Sequence, residues 1–259
     1  MASLPLSRED PPPEPLGFRT YLSLGDSISI DLYPGLDAAE REGLSRPPPG
    51  LGAASLLHRN DDGRWPEFED RDLASLCPGL RHVDLTQDGA TTGTLLRDQL
   101  PRVPEGLDGP VLVTVTAGGN DLVALLDSLS GAGRGDPARA LVDDAARTLA
   151  VAVSGLRERF PEATVLVGDV YDPSDGTGDL GDDVHRGGAL EALEAYNRRV
   201  AEVAREAGGR PVPIHDRFLG HGLTEPDPDA RWYWCHSAIE PSARGASEVR
   251  RLWLEALGA

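Results

Sequence analysis

The sequence predicts an α/β fold, a mainly parallel sheet with helices on both faces. Five short runs rich in apolar and β-branched residues recur at wide spacing: "TYLSLGD" from Thr20, "HVDLTQ" from His82, "VLVTVTAGG" from Val111, "TVLVGDVYD" from Thr164 and "VPIHD" from Val212. They read as short buried strands. Segments with an apolar stripe at helical spacing lie between them, and strand–helix alternation over this length requires right-handed crossovers and a sheet covered on both sides. Sheets of this kind bind ligands beyond the carboxyl ends of their strands.

Taken in order, residues 1 to 17 are rich in proline and charge and are expected to form a loosely packed arm. Residues 18 to 259 are expected to form one domain, since a chain of 259 residues with 39% hydrophobic content can bury a sizeable core. Two segments interrupt the alternation: residues 31 to 70, and the stretch "DPSDGTGDLGDDVHRGG" from Asp172. Long loops in compact domains are often functional, and equally often mere surface excursions. One helical stripe runs through Leu141, Ala145, Leu149, Ala152, Val153 and Leu156, a second through Leu193, Tyr196, Val200, Val203 and Ala207. The last helix repeats the rule with Val249, Leu252, Trp253 and Ala256.

Composition excludes several functions. The formal net charge is −18, from 43 acidic and 25 basic residues, which repels nucleic acid and anionic membranes. Every basic residue is an arginine, so a Schiff-base lysine and a phosphate-loop lysine are both impossible. The first residues carry no basic stretch followed by an apolar run, and no apolar segment reaches about eighteen residues. A soluble, cytoplasmic protein with no membrane partner is expected. Cys77 and Cys235 are expected to be reduced thiols, and the six histidines show no spacing typical of a metal site.

Three strand ends carry chemistry. The first run ends in Gly25, Asp26 and Ser27, where a serine at a strand's carboxyl end and near a helix N-terminus could be a nucleophile or a helix cap. "TAGGND" brings Asn120, whose amide can donate to an oxyanion, beside a glycine pair that lets a substrate approach the backbone. "DGATTGTLL" offers Gly89 as an unhindered N–H donor, with Thr91 or Thr92 to cap the next helix.

The order and spacing of these blocks resemble the SGNH, or GDSL, family of serine esterases and lipases. The resemblance runs from about residue 18 to the end. It implies a three-layer α/β/α sandwich on a five-stranded parallel sheet, flavodoxin-like in layout. It implies a small-molecule acyl substrate, Ser27 as nucleophile, and the Ser27 N–H, Gly89 N–H and Asn120 amide as oxyanion donors. No metal or organic cofactor is implied, because acyl transfer of this kind needs only a base and hydrogen-bond donors.

The final block departs from the family. Where the family usually reads Asp-x-x-His-Pro-Ser-x-x-Gly, this chain reads "SAIEPSARG". Ser237 stands for the aspartate and Glu240 for the histidine, while Pro241, Ser242 and Gly245 keep the register. An unperturbed glutamate is about two units too acidic to match histidine as a base near neutral pH. His236 could take the vacated role with Glu240 as its orienting carboxylate. Glu240 could act itself if burial raised its pKa. His221, flanked by glycines and oriented by Asp216, is a third candidate. The aromatic run Trp232, Tyr233, Trp234 either lines a substrate pocket or, more commonly for such clusters, anchors the loop. The reading is therefore a serine hydrolase cleaving an ester or related acyl bond. The alternatives are acyl transfer, elimination or cyclisation with a carboxylate base, and a non-catalytic binding protein on the same scaffold.

Overall fold

A computed structural model describes residues 16–129, 136–180 and 189–259. The elements run β1 (Thr20–Gly25), α1 (Leu32–Glu42), α2 (Ala53–His58), α3 (Leu73–Leu76), β2 (Arg81–Asp84), α4 (Thr92–Thr94), β3 (Val111–Thr116), α5 (Gly119–Leu129), α6 (Asp136–Arg159), β4 (Thr164–Gly168), α7 (Ala189–Glu206), β5 (Arg210–Val212), α8 (Ile214–Phe218) and α9 (Ala243–Leu257). The strands form one five-stranded sheet in the order β2-β1-β3-β4-β5, and every neighbouring pair is parallel. The predicted α/β class and parallel sheet are what the chain adopts.

Side chains alternate across the pleat, so each strand feeds two cores. Leu22, Leu24, Val113, Val115, Val165 and Val167 face the first, with apolar residues of α5, α6 and α7. Tyr21, Leu112, Leu166 and Val212 face the second, with residues of α1, α2, α8 and α9. Helices thus cover both faces, and β1 and β3 are buried along their whole length. Tyr21, fully buried in the second core, places its Oη 2.9 Å from Thr114 Oγ1, a hydrogen bond that satisfies its polar end.

Several expectations shift on contact with the structure. The run "VPIHD" contributes only Val212 to β5, and its remainder forms α8. Pro213 has no N–H for a sheet ladder, and Asp169 Oδ1 accepts from the His215 N–H at 2.7 Å, satisfying an amide of the first helical turn. In α6 the stripe starts at buried Val142, and Leu141 points outward at 49% exposure. Residues 31 to 70 form part of the helical layer on the second face, with Leu51, Leu56, Leu57 and Phe68 in its core. Of the expected N-terminal arm, residues 1 to 15 lie outside the described residues, and Leu16 packs against the second core.

The strand order creates a switch point between β1 and β3, where successive crossovers leave in opposite directions. The carboxyl ends of strands at such a point leave a crevice, and Ser27 and Asn120 follow those two strands.

Candidate active site

The turn bearing Ser27 is fixed by close backbone approach. Gly25 ends β1 at φ +129°, and a Cβ there would lie 2.0 Å from the Thr116 carbonyl oxygen of β3, so no other residue fits. Fully buried Gln99 grips the same residue twice: its Oε1 accepts from the Gly25 N–H and its Nε2 donates to the Gly25 carbonyl, each at 2.8 Å. Asp26 continues the anchorage, its N–H donating to the Thr116 carbonyl at 3.0 Å and its Oδ1 accepting from the Ile28 N–H at 3.2 Å. Burial pushes the Asp26 carboxyl up to about 6, partly offset by a hydrogen bond with Thr116. Ser27 emerges from this turn at 8% exposure.

Asn120 sits in the first turn of α5. Its Nδ2 donates to the Ala90 carbonyl at 3.0 Å, which leaves the second amide hydrogen for a ligand. Its neighbour Asp121 accepts from the Thr92 N–H at 2.9 Å and the Thr92 hydroxyl at 2.7 Å. Thr91 caps the following helix by accepting from the Thr94 N–H at 3.1 Å. The turn of Gly89 and Ala90 is thereby tied to the start of α5. Gly89 itself is exposed, at φ +69°.

Glu240 arrives from the opposite side on a braced loop. The Tyr171 hydroxyl donates to the Ile239 carbonyl at 2.6 Å, the Trp234 N–H donates to the Glu240 carbonyl at 2.8 Å, and Tyr233 bridges Pro241. Ser242 then caps α9 by accepting from the Gly245 N–H at 3.2 Å. Gly245 is required because a Cβ there would stand 2.1 Å from the Trp232 carbonyl oxygen. At 9% exposure the Glu240 carboxyl shares the cleft with Ser27 and interacts with its side chain, while its Oε2 is buried with no partner among the described residues. Burial pushes this carboxyl up to about 7, the polar Ser27 side chain opposes the rise, and the charges of Asp88 and Asp26 add to it.

The histidines are placed elsewhere. His236 Nε2 lies 2.9 Å from Glu40 Oε1 and its side chain is 59% exposed, so its partner is Glu40. His221 stacks on Trp232 with centroids 3.7 Å apart, and Asp216 lies beside His215, 3.3 Å from its Nδ1. His82 stacks on Tyr21 at 4.5 Å, with His58 against it. His185 lies outside the described residues. The aromatic run mostly anchors its loop: Trp232 and Tyr233 pack edge-on against Phe218, and Tyr233 against Tyr171.

Ser27, Asn120 and Glu240 line one cleft of about 110 Å³, and no described histidine joins them. One wall is apolar, formed by Leu122, Val123, Val170, Leu190, Leu193 and Ile239. Leu180, from the predicted glycine–aspartate stretch, contributes to the rim. The remainder of that stretch, 181 to 188, is outside the described residues. The roles of Gln99, Asp121 and Tyr171 were not apparent from sequence, because each reaches its partner across a long separation in the chain.

The sequence matches the profile of the GDSL-like lipase/acylhydrolase family over residues 23–247. Among solved structures, it is similar to an extracellular lipase from Streptomyces rimosus, with TM-score 0.60 and 20% identity over 93% of this chain and 99% of that one. A putative GDSL-like lipase from Parabacteroides merdae gives TM-score 0.62 at 15% identity, covering 95% and 99% of the two chains. A catalytic mutant of the acetylxylan esterase Axe2 from Geobacillus stearothermophilus gives 0.58 at 17%, covering 93% and 94%. A search of curated proteins found no match.

Proposed function

Because the chain belongs to the GDSL-like lipase/acylhydrolase family, we propose that it cleaves an ester or related acyl bond of a small molecule through a Ser27 acyl-enzyme, with Glu240 as general base. One observation carries the reading: Ser27 shares its cleft with a buried carboxyl, that of Glu240, whose pKa burial pushes up to about 7. Burial supplies what the sequence alone could not, a glutamate matched to neutral pH.

The steps follow from the donors and acceptors present. Glu240 takes the Ser27 proton as the hydroxyl oxygen attacks the substrate carbonyl. The oxyanion is received by the Ser27 N–H, the Gly89 N–H and the free hydrogen of Asn120 Nδ2. Collapse of the adduct breaks the bond to the leaving alcohol, which takes the proton back from Glu240. Water then repeats the sequence against the acyl-enzyme, Glu240 accepting its proton and returning it to Ser27. The apolar wall suits a hydrocarbon acyl group. The solved structures similar to this chain include enzymes described as a lipase, a phospholipase A1 and an acetylxylan esterase.

The test is covalent labelling with a fluorophosphonate, followed by turnover of short-chain aryl esters. Wild type is expected to label at Ser27 and to release acid. Ser27→Ala should do neither. A chain that neither labels nor turns over any ester would leave the binding-protein reading. Acyl product captured mainly by added alcohols or amines would make it a transferase.

A further inference from the structure

Three side chains of metal-ligating type converge on the outer face of the loop that leads to Glu240. They are Glu40, in the last turn of α1, and Cys235 and His236. One ligand atom from each lies within 4.8 Å of the other two. His236 Nε2 is 2.9 Å from Glu40 Oε1, and Cys235 Sγ is 3.4 Å from Glu40 Oε2. In a tetrahedral site with bonds of about 2.0–2.3 Å, neighbouring ligand atoms stand roughly 3.3–3.8 Å apart, so small side-chain rotations would fit the three around one ion.

We propose that Glu40, Cys235 and His236 form a three-ligand site for a zinc-type divalent cation, with water in the fourth position. Donor chemistry points to the class of ion: a thiolate with an imidazole and a carboxylate suits zinc, whereas magnesium and calcium take oxygen-only sets. Charge agrees, since one thiolate and one carboxylate neutralise a dication. The nearby cation does not oppose it, because Arg41 is held by Asp37 at 2.8 Å and Asp229 at 2.7 Å. Trp234 packs edge-on against the His236 ring at 5.3 Å, which restricts the imidazole before any ion arrives. Binding deprotonates Cys235 and releases that proton to solvent.

The site would pin residues 235 and 236 to α1, and the Trp234 N–H already holds the Glu240 carbonyl. It would thus clamp the loop that presents Glu240. Its ligands are distinct from Ser27, Asn120 and Glu240, and the proposal does not depend on the chemistry proposed for them.

The experiment uses the full chain, reduced with a phosphine and dialysed against a chelator, then titrated with cobalt(II). Saturation at one equivalent is expected, with a thiolate-to-cobalt charge-transfer band and visible bands of tetrahedral intensity, all bleached by one equivalent of zinc. Cys235→Ser should lose the charge-transfer band. Loss of a residue that only orients a ligand typically weakens metal binding about 10–100-fold, so Cys235→Ser and Glu40→Gln, which remove ligands themselves, should each weaken it by more than about a hundredfold. Both residues are exposed, and circular dichroism would verify that each variant is folded. No saturable binding, binding without a thiolate band, or equal affinity in folded variants would overturn the proposal.

Discussion

Glu240→Gln tests the proposed base through two independent readouts. The wild-type carboxyl moves from an ordinary 4.5 to about 7 on folding. Below pH 4.5 both folded and unfolded chains hold the proton, and above 7 neither does, so wild type loses stability as pH rises through that interval. Glutamine cannot share the loss. Two and a half units at about 1.36 kcal/mol each come to roughly 3 kcal/mol, an upper figure because the carboxylate keeps some solvent contact. Between pH 5 and pH 8 about 1.8 of those units act, roughly 2.5 kcal/mol, so at about 2 °C per kcal/mol for a chain of this size the variant should gain roughly 5 °C over wild type across that interval. Comparing the two pH values cancels packing changes unrelated to ionisation. Turnover should fall meanwhile by about 10²–10⁴, the usual contribution of a general base. Paired thermal melts and ester kinetics measure both. A melting difference that is the same at pH 5 and pH 8, or turnover within tenfold of wild type, would refute the reasoning.

Four further outcomes follow from the same geometry. Wild-type kcat/KM should rise with pH to a plateau above an inflection near 7, because the free enzyme needs Glu240 ionised; Asp88→Asn should move that inflection to lower pH, since the Asp88 charge helps to raise the Glu240 pKa. Asn120→Ala should lose about 10²–10³ in kcat with little change in KM, and an unchanged kcat would remove it from the mechanism. His236→Ala and His221→Ala, assayed in chelator-treated protein with His185→Ala in parallel, should each keep turnover within a few-fold of wild type; a collapse in any one would make that histidine the base. Asp121→Ala should lower stability by about 1.5–3 kcal/mol in a denaturant melt, because it frees two charge-assisted hydrogen bonds from Thr92.

What could be read from the sequence was whatever neighbours in the chain decide. β1 and β3 were legible because central strands of a parallel sheet are buried on both faces and read as continuous apolar runs. The positions of Ser27 and Asn120 were legible because strand-end motifs carry them. "VPIHD" misled because its apolar alternation continued past the point where Pro213 ends the ladder, and Asp169, 46 residues upstream, satisfies the helix that follows. Glu240 could be placed by Pro241, Ser242 and Gly245, but its burial and its Ser27 partner are products of folding. The same holds for His236, whose partner Glu40 is 196 residues away, and for Gln99, which grips Gly25 across 74 residues. For that reason the cluster of Glu40, Cys235 and His236 left no trace in histidine spacing.

The two departures in the final block are best understood as one chemical change. A histidine base becomes a cation as the serine loses its proton, and it works with an anion behind it. A carboxylate base becomes neutral and needs no counter-charge. An aspartate retained at position 237 would add to the effect of Asp88 and Asp26 and drive the Glu240 pKa still further up. Ser237 avoids this and turns into its own loop, where its Oγ accepts from the Ile239 N–H at 3.4 Å. The exchange has a consequence at the oxyanion. With histidine, an imidazolium faces the developing negative charge; with Glu240, one negative charge only moves from the carboxylate to the substrate oxygen, and no cation among the described residues lining the cleft balances it there. In the proposed mechanism the Ser27 and Gly89 amides and the Asn120 side chain carry that charge by hydrogen bonding alone. Asp26, buried beside Ser27 with its own pKa raised to about 6, makes the demand on those donors greater whenever it is ionised.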